Sequence, residues 1–392
     1  MIETQVGIVG AGPAGLLLAH LLHRDGIESV VLERHSRRYV EERIRAGVLE
    51  QGTVDLLNDA GVGARLGREG LVHDGLEIGF AGRRHRIDLA ALTGGRRITV
   101  YGQHEVVTDL IAARFAADGP IHFEVDAVSL HDLDGPQPVI RFRQDDAALE
   151  VRCDVVAGCD GFHGVCRPSV PNGVLEVFER VYPFGWLGIL AAAPPSSREL
   201  IYARHEHGFA LHSMRSPELT RLYLQCAPDD DLASWPDERI WRELQTRLAS
   251  DGEWRLTEGP VLQKGITAMR SFVVAPMRYG RLFLAGDAAH IVPPTGAKGM
   301  NLAVADVHVL ARALATFYRS GRSDLLDAYS ETCLRRIWKV QRFSWWMTSL
   351  LHRFPADDAF GQRIQLAELD YLTTSQAAAR TLAENYVGLP FD

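Results

Sequence analysis

The amino-acid sequence predicts an α/β fold: a Rossmann-like nucleotide-binding domain interleaved with a smaller antiparallel-sheet domain and followed by C-terminal helices. Three observations point there. The chain opens with a strand-like TQVGIVGAG, a helix-periodic PAGLLLAHLLHRD and a second apolar run, ESVVLE, which is the grammar of a βαβ unit. From about residue 176 to 270 the pattern changes to short alternating stretches such as GFALHSM and RLYLQCA, which suggest an antiparallel sheet. After RLFLAGD the chain turns helical, over 300–320 and 324–352. The expected division is 1–175 for the nucleotide domain, 176–290 for the sheet domain, and 291–392 for a loop and a helical interface region.

Each element has a local reason. Residues 4–9 are apolar and β-rich, and the helix over 13–25 carries Pro13 in its first turn, where a missing N–H costs nothing. Gly26 suits the helix stop, and 28–33 reads as the second buried strand. Helices are expected over 47–67, 104–117 and 235–250, and a buried strand ending in a turn over 153–161. Trp338, Trp345, Trp346 and Met347 on the last helix suit core packing or a subunit contact.

Bulk properties narrow the function. The 392 residues are 46% apolar and 23% charged, an ordinary globular balance. A net charge of −8 argues against a nucleic-acid partner, since phosphate binding wants a basic field. No signal peptide or membrane span is expected; the longest nearly apolar run, Phe184 to Ala193, is too short to cross a bilayer. Five cysteines without a CxxC pair suit reduced, buried thiols in a cytoplasmic protein. The fifteen histidines show no metal-ligand spacing, so no metal is expected.

Gly10, Gly12 and Gly15 form GxGxxG directly after a strand and at the start of a helix. The first glycine allows the tight turn, the second lets backbone approach a pyrophosphate, and the third allows close helix–strand packing. Glu33 ends the next strand, where a carboxylate accepts hydrogen bonds from ribose hydroxyls. One dinucleotide is therefore expected. Gly61-Val62-Gly63 follows a helix-like stretch and reads as a loop. On the strand FALHSMRS, Ser213 and Arg215 are two apart and share a face; a hydroxyl and a guanidinium fork suit a carboxylate.

Two further pairs decide which dinucleotide. Asp160-Gly161 and Gly286-Asp287 each end an apolar strand. With GxGxxG, they resemble the single-component FAD-dependent aromatic hydroxylases. The resemblance runs through RIRAGVLEQG (43–52), GCDGFHG (158–164), RVYPFGWLG (180–188), GDAAHIVPPTGAKG (286–299), RFSWWMTS (342–349) and ENYVGLP (384–390), and so covers nearly the whole chain from Gln5 to Pro390.

The resemblance implies non-covalent FAD, a nicotinamide nucleotide as co-substrate and O2, with oxygen activated as a flavin C4a-hydroperoxide. Asp287 would bind the ribityl chain, with Pro294 and Thr295 beside the isoalloxazine. The helix beginning near Gly299–Leu302 would aim N–H groups at the pyrimidine edge, where a reduced flavin is negative. Arg43, Arg45, Gln103, Asp160, Arg221 and Asn301 complete the implied cofactor set, and Lys298 lends positive charge. Ser213, Arg215 and Tyr223 would grip a benzoate carboxylate, with Pro294 near the reacting ring. Tyr202 would hydrogen-bond the 4-hydroxyl, Tyr386 would continue the chain, and His73 would exchange the proton at its outer end. Together these make a wire that ionises the phenol for attack by an electrophilic oxygen. The implied reaction is conversion of 4-hydroxybenzoate to 3,4-dihydroxybenzoate, by a cytoplasmic homodimer.

His163 and Arg270 would face the nucleotide's pyrophosphate. The basic stretch after Glu33, with Arg34 and Arg38, leans toward NADPH, though Glu41 and Glu42 offer a self-balanced helix start instead. Protocatechuate or 3-hydroxybenzoate remain alternative substrates, and a flavin-free scaffold a non-enzymatic one. A disulfide reductase would need a second fingerprint and a redox cysteine pair.

Overall fold

The computed structural model describes residues 1–43, 47–252 and 254–391. Strand Val6–Val9 is buried along its length and lies centrally in a six-stranded sheet, flanked by Val155–Gly158 and Ser29–Leu32. Both neighbours run parallel to it, as does Leu282–Leu284 beyond Val155–Gly158. A parallel sheet is covered on both faces, so its strands read as continuous apolar runs. The covering helices are Pro13–Arg24, Gln103–Ala116 and Gly299–Ser320, the first packed against the other two.

The second sheet has eight strands. Its order is His290–Ile291, Val261–Ala275, Glu176–Ala191, Leu219–Cys226, Gly208–Ser216, Ile201–His205, Gly75–Phe80, Arg83–Asp88. Leu219–Cys226 alternates strictly between partly buried and buried positions, the period-two signature read from RLYLQCA. One face packs Leu187, Ile189 and Leu222 against Ile240, Trp241 and Leu244 of helix Asp237–Leu248. The other face gathers Trp186, Tyr202, Phe209 and Leu211 with Phe343 and Met347 of helix Tyr329–Leu351 and with Leu382 and Tyr386 of helix Gln376–Tyr386. That second face is where the site forms.

Several expectations need correction. The boundaries 1–175, 176–290 and 291–392 do not follow the sheets. Gly75–Phe80 joins the substrate sheet by pairing in parallel with Ile201–His205, while Leu282–Leu284 returns to the nucleotide sheet. The segment expected as one helix over 47–67 begins as strand Val48–Glu50, continues as helix Gln51–Asp59, and breaks where Gly61 takes a φ of 82°. Helices Ala359–Thr374 and Gln376–Tyr386 were not anticipated. The aromatic cluster on Tyr329–Leu351 divides by helical phase: Met347 is fully buried, while Trp338 and Trp345 are exposed. Helix Gly299–Ser320 is long and apolar enough to cross a membrane, but two-thirds of its apolar window is packed inside the protein, as in a central core helix. All five cysteines are free and buried.

Candidate active site

The nucleotide end is built by backbone. Gly10 has a φ of 107°, and a Cβ there would lie 2.4 Å from the Cys159 carbonyl oxygen. A Cβ on Gly15 would come within 2.0 Å of the Gly10 carbonyl oxygen. A Cβ on Gly12 would meet nothing within 4 Å, so Gly12 faces open space at the start of helix Pro13–Arg24. That is the cradle a pyrophosphate needs, beside N–H groups that no side chain caps. Glu33 Oε2 accepts from Ala11 N at 2.8 Å and Oε1 from His35 N at 2.9 Å, fixing the carboxylate beside the glycine turn with lone pairs to spare.

Asp160 is mostly spent on its own loop, with Oδ2 accepting from Cys166 N at 2.8 Å; Oδ1 is buried without a protein partner, and burial raises the carboxyl's pKa. Asp287 is exposed just beyond strand Leu282–Leu284, next to Gly286, where an added Cβ would lie 3.1 Å from the Ala303 Cβ and 3.6 Å from the Ala14 Cβ. An open glycine, an unspent acidic oxygen and two uncapped helix starts converge at the carboxyl ends of parallel strands, which fits FAD. Gln103 opens helix Gln103–Ala116, and the Arg43 guanidinium lies over the Tyr39 ring. Arg45 lies outside the described residues.

The stretch 286–301 reaches helix Gly299–Ser320 through a turn, Pro294–Gly296, with Pro294 exposed and Thr295 buried. The next residues carry a buried charge cluster. Lys298 Nζ donates to Glu50 Oε1 at 2.8 Å and to the Tyr386 carbonyl at 2.8 Å. Arg336 donates to Glu50 Oε2 at 2.9 Å and to the carbonyls of Leu389 and Pro390. Burial lowers the Lys298 pKa, and Glu50 opposes that shift. Two cations share one carboxylate, so the cluster keeps a net positive charge, and Lys298 supplies it jointly with Arg336 rather than alone.

Asn301, implied by the resemblance to help seat the flavin, spends its amide on protein groups. Its Oδ1 accepts from Glu50 N and Thr53 Oγ1, and its Nδ2 donates to the carbonyls of Val48 and Ala297. The amide is fully spent on holding strand Val48–Glu50 against the flavin-loop helix.

On the substrate sheet, Ser213 pairs in register with Arg221, and Leu211 with Tyr223, so these residues share the face that carries Tyr202. A ladder irregularity between Met214 and Ser216 turns Arg215. Its Nε and the Nε and Nη1 of Arg221 are buried without protein partners, and the Arg221 guanidinium lies 5.2 Å from the Tyr223 ring centre. The two guanidiniums interact repulsively, and burial lowers the Arg215 pKa, with Tyr223 opposing. Two close cations with unspent N–H groups, Ser213 and a tyrosine have the chemistry to receive a carboxylate.

Tyr202 and Tyr386 meet directly, hydroxyl to hydroxyl, at 2.5 Å and fully buried. Burial raises the pKa of both. His73, implied to exchange the proton at the outer end of the wire, is 2% exposed, neither ring nitrogen has a protein partner, and burial lowers its pKa to about 4. A buried, neutral imidazole can pass a proton on but does not store one at neutral pH.

At the surface, Arg270 lies against the Phe162 ring at 4.8 Å and pairs with Glu179 at 3.2 Å, while His163 meets the same ring edge-on at 5.0 Å. The basic stretch balances itself: Arg38 pairs with Glu42 at 2.9 Å and Arg37 with Glu41 at 2.8 Å, and Arg34 Nε donates to His35. The sequence reasoning missed Glu50, Arg336, Thr348 and His352. Glu50 meets Lys298 across 248 positions, and no local spacing signals such a pair.

A model of the FAD binding domain family matches residues 3–344. The chain is 52% identical over 391 residues to p-hydroxybenzoate hydroxylase of Acinetobacter baylyi, covering all of this chain and 96% of that protein. It is 26% identical to a probable NADH-specific resorcinol 4-hydroxylase of Rhodococcus jostii, over 83% of this chain and 61% of that one. Among solved structures, p-nitrophenol 4-monooxygenase PnpA of Pseudomonas putida superposes with a TM-score of 0.85 over the full length of both chains at 20% identity, a likeness of fold.

Proposed function

Since the chain belongs to the FAD binding domain family, as an FAD-dependent aromatic monooxygenase, we propose that it hydroxylates 4-hydroxybenzoate at C3 to 3,4-dihydroxybenzoate, using NADPH and O2. The observation that carries the substrate reading is the pairing of Arg215 and Arg221, with unspent N–H groups, beside the buried Tyr202–Tyr386 contact. One end of that site suits a carboxylate and the other a phenol.

Gly10, Gly12, Gly15 and Glu33 would hold the adenosine and pyrophosphate of FAD, and Asp287 its ribityl chain, with Arg43, Gln103, Asp160 and Arg221 around it. The flavin, once reduced by the nicotinamide nucleotide, supplies activated oxygen. The chain's own residues prepare the ring. Arg215, Ser213 and Tyr223 hold the carboxylate, and Pro294 closes the ring's flavin side. The Tyr202 hydroxyl hydrogen-bonds the 4-oxygen, so that oxygen's proton passes to Tyr202 while Tyr202 passes its own to Tyr386, and Tyr386 gives up its own outward by way of His73 to solvent. Both tyrosines resist ionisation, so the negative charge rests on the substrate oxygen and activates the adjacent carbon. Lowering a phenol from its usual pKa near 10 to ionise at neutral pH takes about 3–4 kcal/mol of preferential stabilisation. The paired guanidiniums and the net positive Lys298–Glu50–Arg336 cluster contribute to it.

His163 and Arg270 would meet the nicotinamide nucleotide at the surface, and the exposed Trp338 and Trp345 suit contact with a second copy in a cytoplasmic homodimer. A panel of phenolic acids, scored for NADPH oxidation together with hydroxylated product, tests the assignment. A much higher specificity constant for another acid overturns it.

A further inference from the structure

Helix Tyr329–Leu351 and the residue that follows it carry a polar stripe that the reaction above does not use: Gln341, Ser344, Thr348 and His352, at spacings of three and four and each no more than 5% exposed. A buried polar stripe is costly unless its groups are spoken for. Gln341 Nε2 donates to the Ile291 carbonyl at 2.7 Å, at the start of the flavin-side loop. Thr348 Oγ1 donates to the Ser344 carbonyl at 2.7 Å, so at its 2.9 Å contact with Thr295 it must be the acceptor. The loop residue beside the flavin is thereby tied to the helix.

The stripe continues to the other half of the site. His352 Nε2 lies 2.7 Å from Trp186 Nε1. An indole nitrogen can only donate, so Nε2 accepts, and the proton sits on Nδ1, which donates to the Thr348 carbonyl at 3.0 Å. Burial lowers the His352 pKa to about 3, so this neutral tautomer is kept at all working pH values. The ring is stacked between Phe184 at 4.7 Å and Phe209 at 4.4 Å. Trp186 in turn packs its ring 4.9 Å from Tyr223. Both hydrogen bonds and both ring faces of His352 are therefore fixed, between a helix residue that touches Thr295 and a tryptophan that touches Tyr223.

We propose that His352 is a positioning residue that, through Thr348 and Trp186, makes the flavin-side loop and the substrate-carboxylate grip one mechanical unit. Its own contacts are to Trp186, the Thr348 carbonyl, Phe184 and Phe209. Its action is to fix the indole of Trp186, and with it Tyr223, relative to Thr295. The proposal rests on Tyr223 contacting a carboxylate, as in the function proposed above.

The test uses FAD-loaded protein and two ligands, 4-hydroxybenzoate and phenol, which lacks the carboxylate. Trp186→Phe and His352→Phe keep ring stacking and remove the bond from either side. Each should weaken 4-hydroxybenzoate binding about tenfold, the scale of one lost buried hydrogen bond, and leave phenol within twofold. The double variant should show the same loss rather than its square, since one strut has been cut. It should also melt closer to wild type than His352→Phe, because no indole N–H is left orphaned. The displacement of the flavin absorption band at saturating acid should shrink in all three.

Equal weakening of both ligands, unchanged acid affinity in a variant that retains FAD, multiplied losses in the double variant, or an undiminished band displacement would each overturn the proposal. If His352→Phe fails to fold, Trp186→Phe and the double variant carry the same comparison. Wild-type titrations separate this from the substrate assignment. A preference for another phenolic acid sinks that assignment alone, and the comparison is then run with that acid and its decarboxylated parent. A wild type indifferent to the carboxylate sinks both.

Discussion

At the nucleotide end, Ala11 N reaches Glu33 across 22 positions, and the remaining contacts are made by glycine backbone. At the substrate end, Tyr202 meets Tyr386 across 184 positions, and Lys298 meets Glu50 across 248. The first is built mainly by one βαβ unit, closed at Gly10 by the neighbouring strand's Cys159 carbonyl, and its recognition groups are largely N–H donors that every residue has. The second exists only when two sheets, a loop and three C-terminal helices have packed, and its recognition groups are side chains held in place by other side chains. The nucleotide end should therefore fail only where a Cβ cannot fit. The substrate end should fail at single polar atoms.

The sharpest way to break this contrast is at the glycines. Gly10→Ala forces a side chain at a φ of 107° into the Cys159 carbonyl, and should cost about 3 kcal/mol or more and abolish FAD retention. Gly12→Ala meets no protein atom within 4 Å, so it should leave the apoprotein's melting temperature unchanged while FAD affinity falls steeply. Thermal melts with and without FAD separate the two; similar apoprotein melts would refute the assigned roles.

At the other end, Tyr202→Phe removes one oxygen and keeps the ring. Hydroxylated product per NADPH oxidised should drop about a hundredfold while oxidation continues with release of peroxide. Full coupling in this variant would exclude the wire.

The aromatic strut and its surroundings also bury imidazoles. His73 and His212 are lowered to about 4 and His352 to about 3, each by burial. Their folded pKa values lie below the unfolded value near 6.5, so the unfolded chain takes up protons first as the pH falls. The stability they contribute is present above pH 6.5 and is lost progressively down toward pH 4, by about 2 kcal/mol for each at pH 5. His290, raised by Asp306, works in the opposite sense. Denaturation midpoints from pH 7.5 to 5 should fall, and His352→Phe should flatten the slope; a flat wild-type profile counts against three buried neutral rings.

The smallest effect is expected in the basic stretch. Arg38 is exposed and already paired with Glu42, and exposed pairs are worth little. An Arg34→Ala, Arg38→Ala double variant should lower the NADPH-over-NADH preference only a few-fold, and less at moderate salt, as read from the two specificity constants. No change would assign the choice to other residues.

The sequence made the βαβ unit legible because its signals are short-range: a proline in the first turn, three spaced glycines, an acid at a strand end. The alternating burial of Leu219–Cys226 could be read from the same kind of pattern. The helix expected over 47–67 was not, because Val48–Glu50 is drawn into a strand by pairing with Ile98–Val100, a partner remote in sequence. Which sheet Gly75–Phe80 joins is likewise decided at a distance, by Ile201–His205. Asn301 was placed near the right loop, but its amide could be seen to be spent only once Glu50, Thr53 and Val48 were around it. The Tyr202–Tyr386 contact came from resemblance; periodicity holds nothing that would join them.

The knot of Lys298, Glu50 and Arg336 grips the carbonyls of Tyr386, Leu389 and Pro390, and a Cβ on Gly388 would come within 2.2 Å of Glu50 Oε2. Tyr386 is thus both the last site residue in the chain and one whose placement depends on residues that follow it. A ribosome makes the glycine turn, Glu33 and the Arg215–Arg221 pair well before it makes Tyr386. The growing polypeptide can begin to shape its glycine turn early, whereas the Tyr202–Tyr386 contact waits until Tyr386, Leu389 and Pro390 have been made and their carbonyls are held by Lys298 and Arg336.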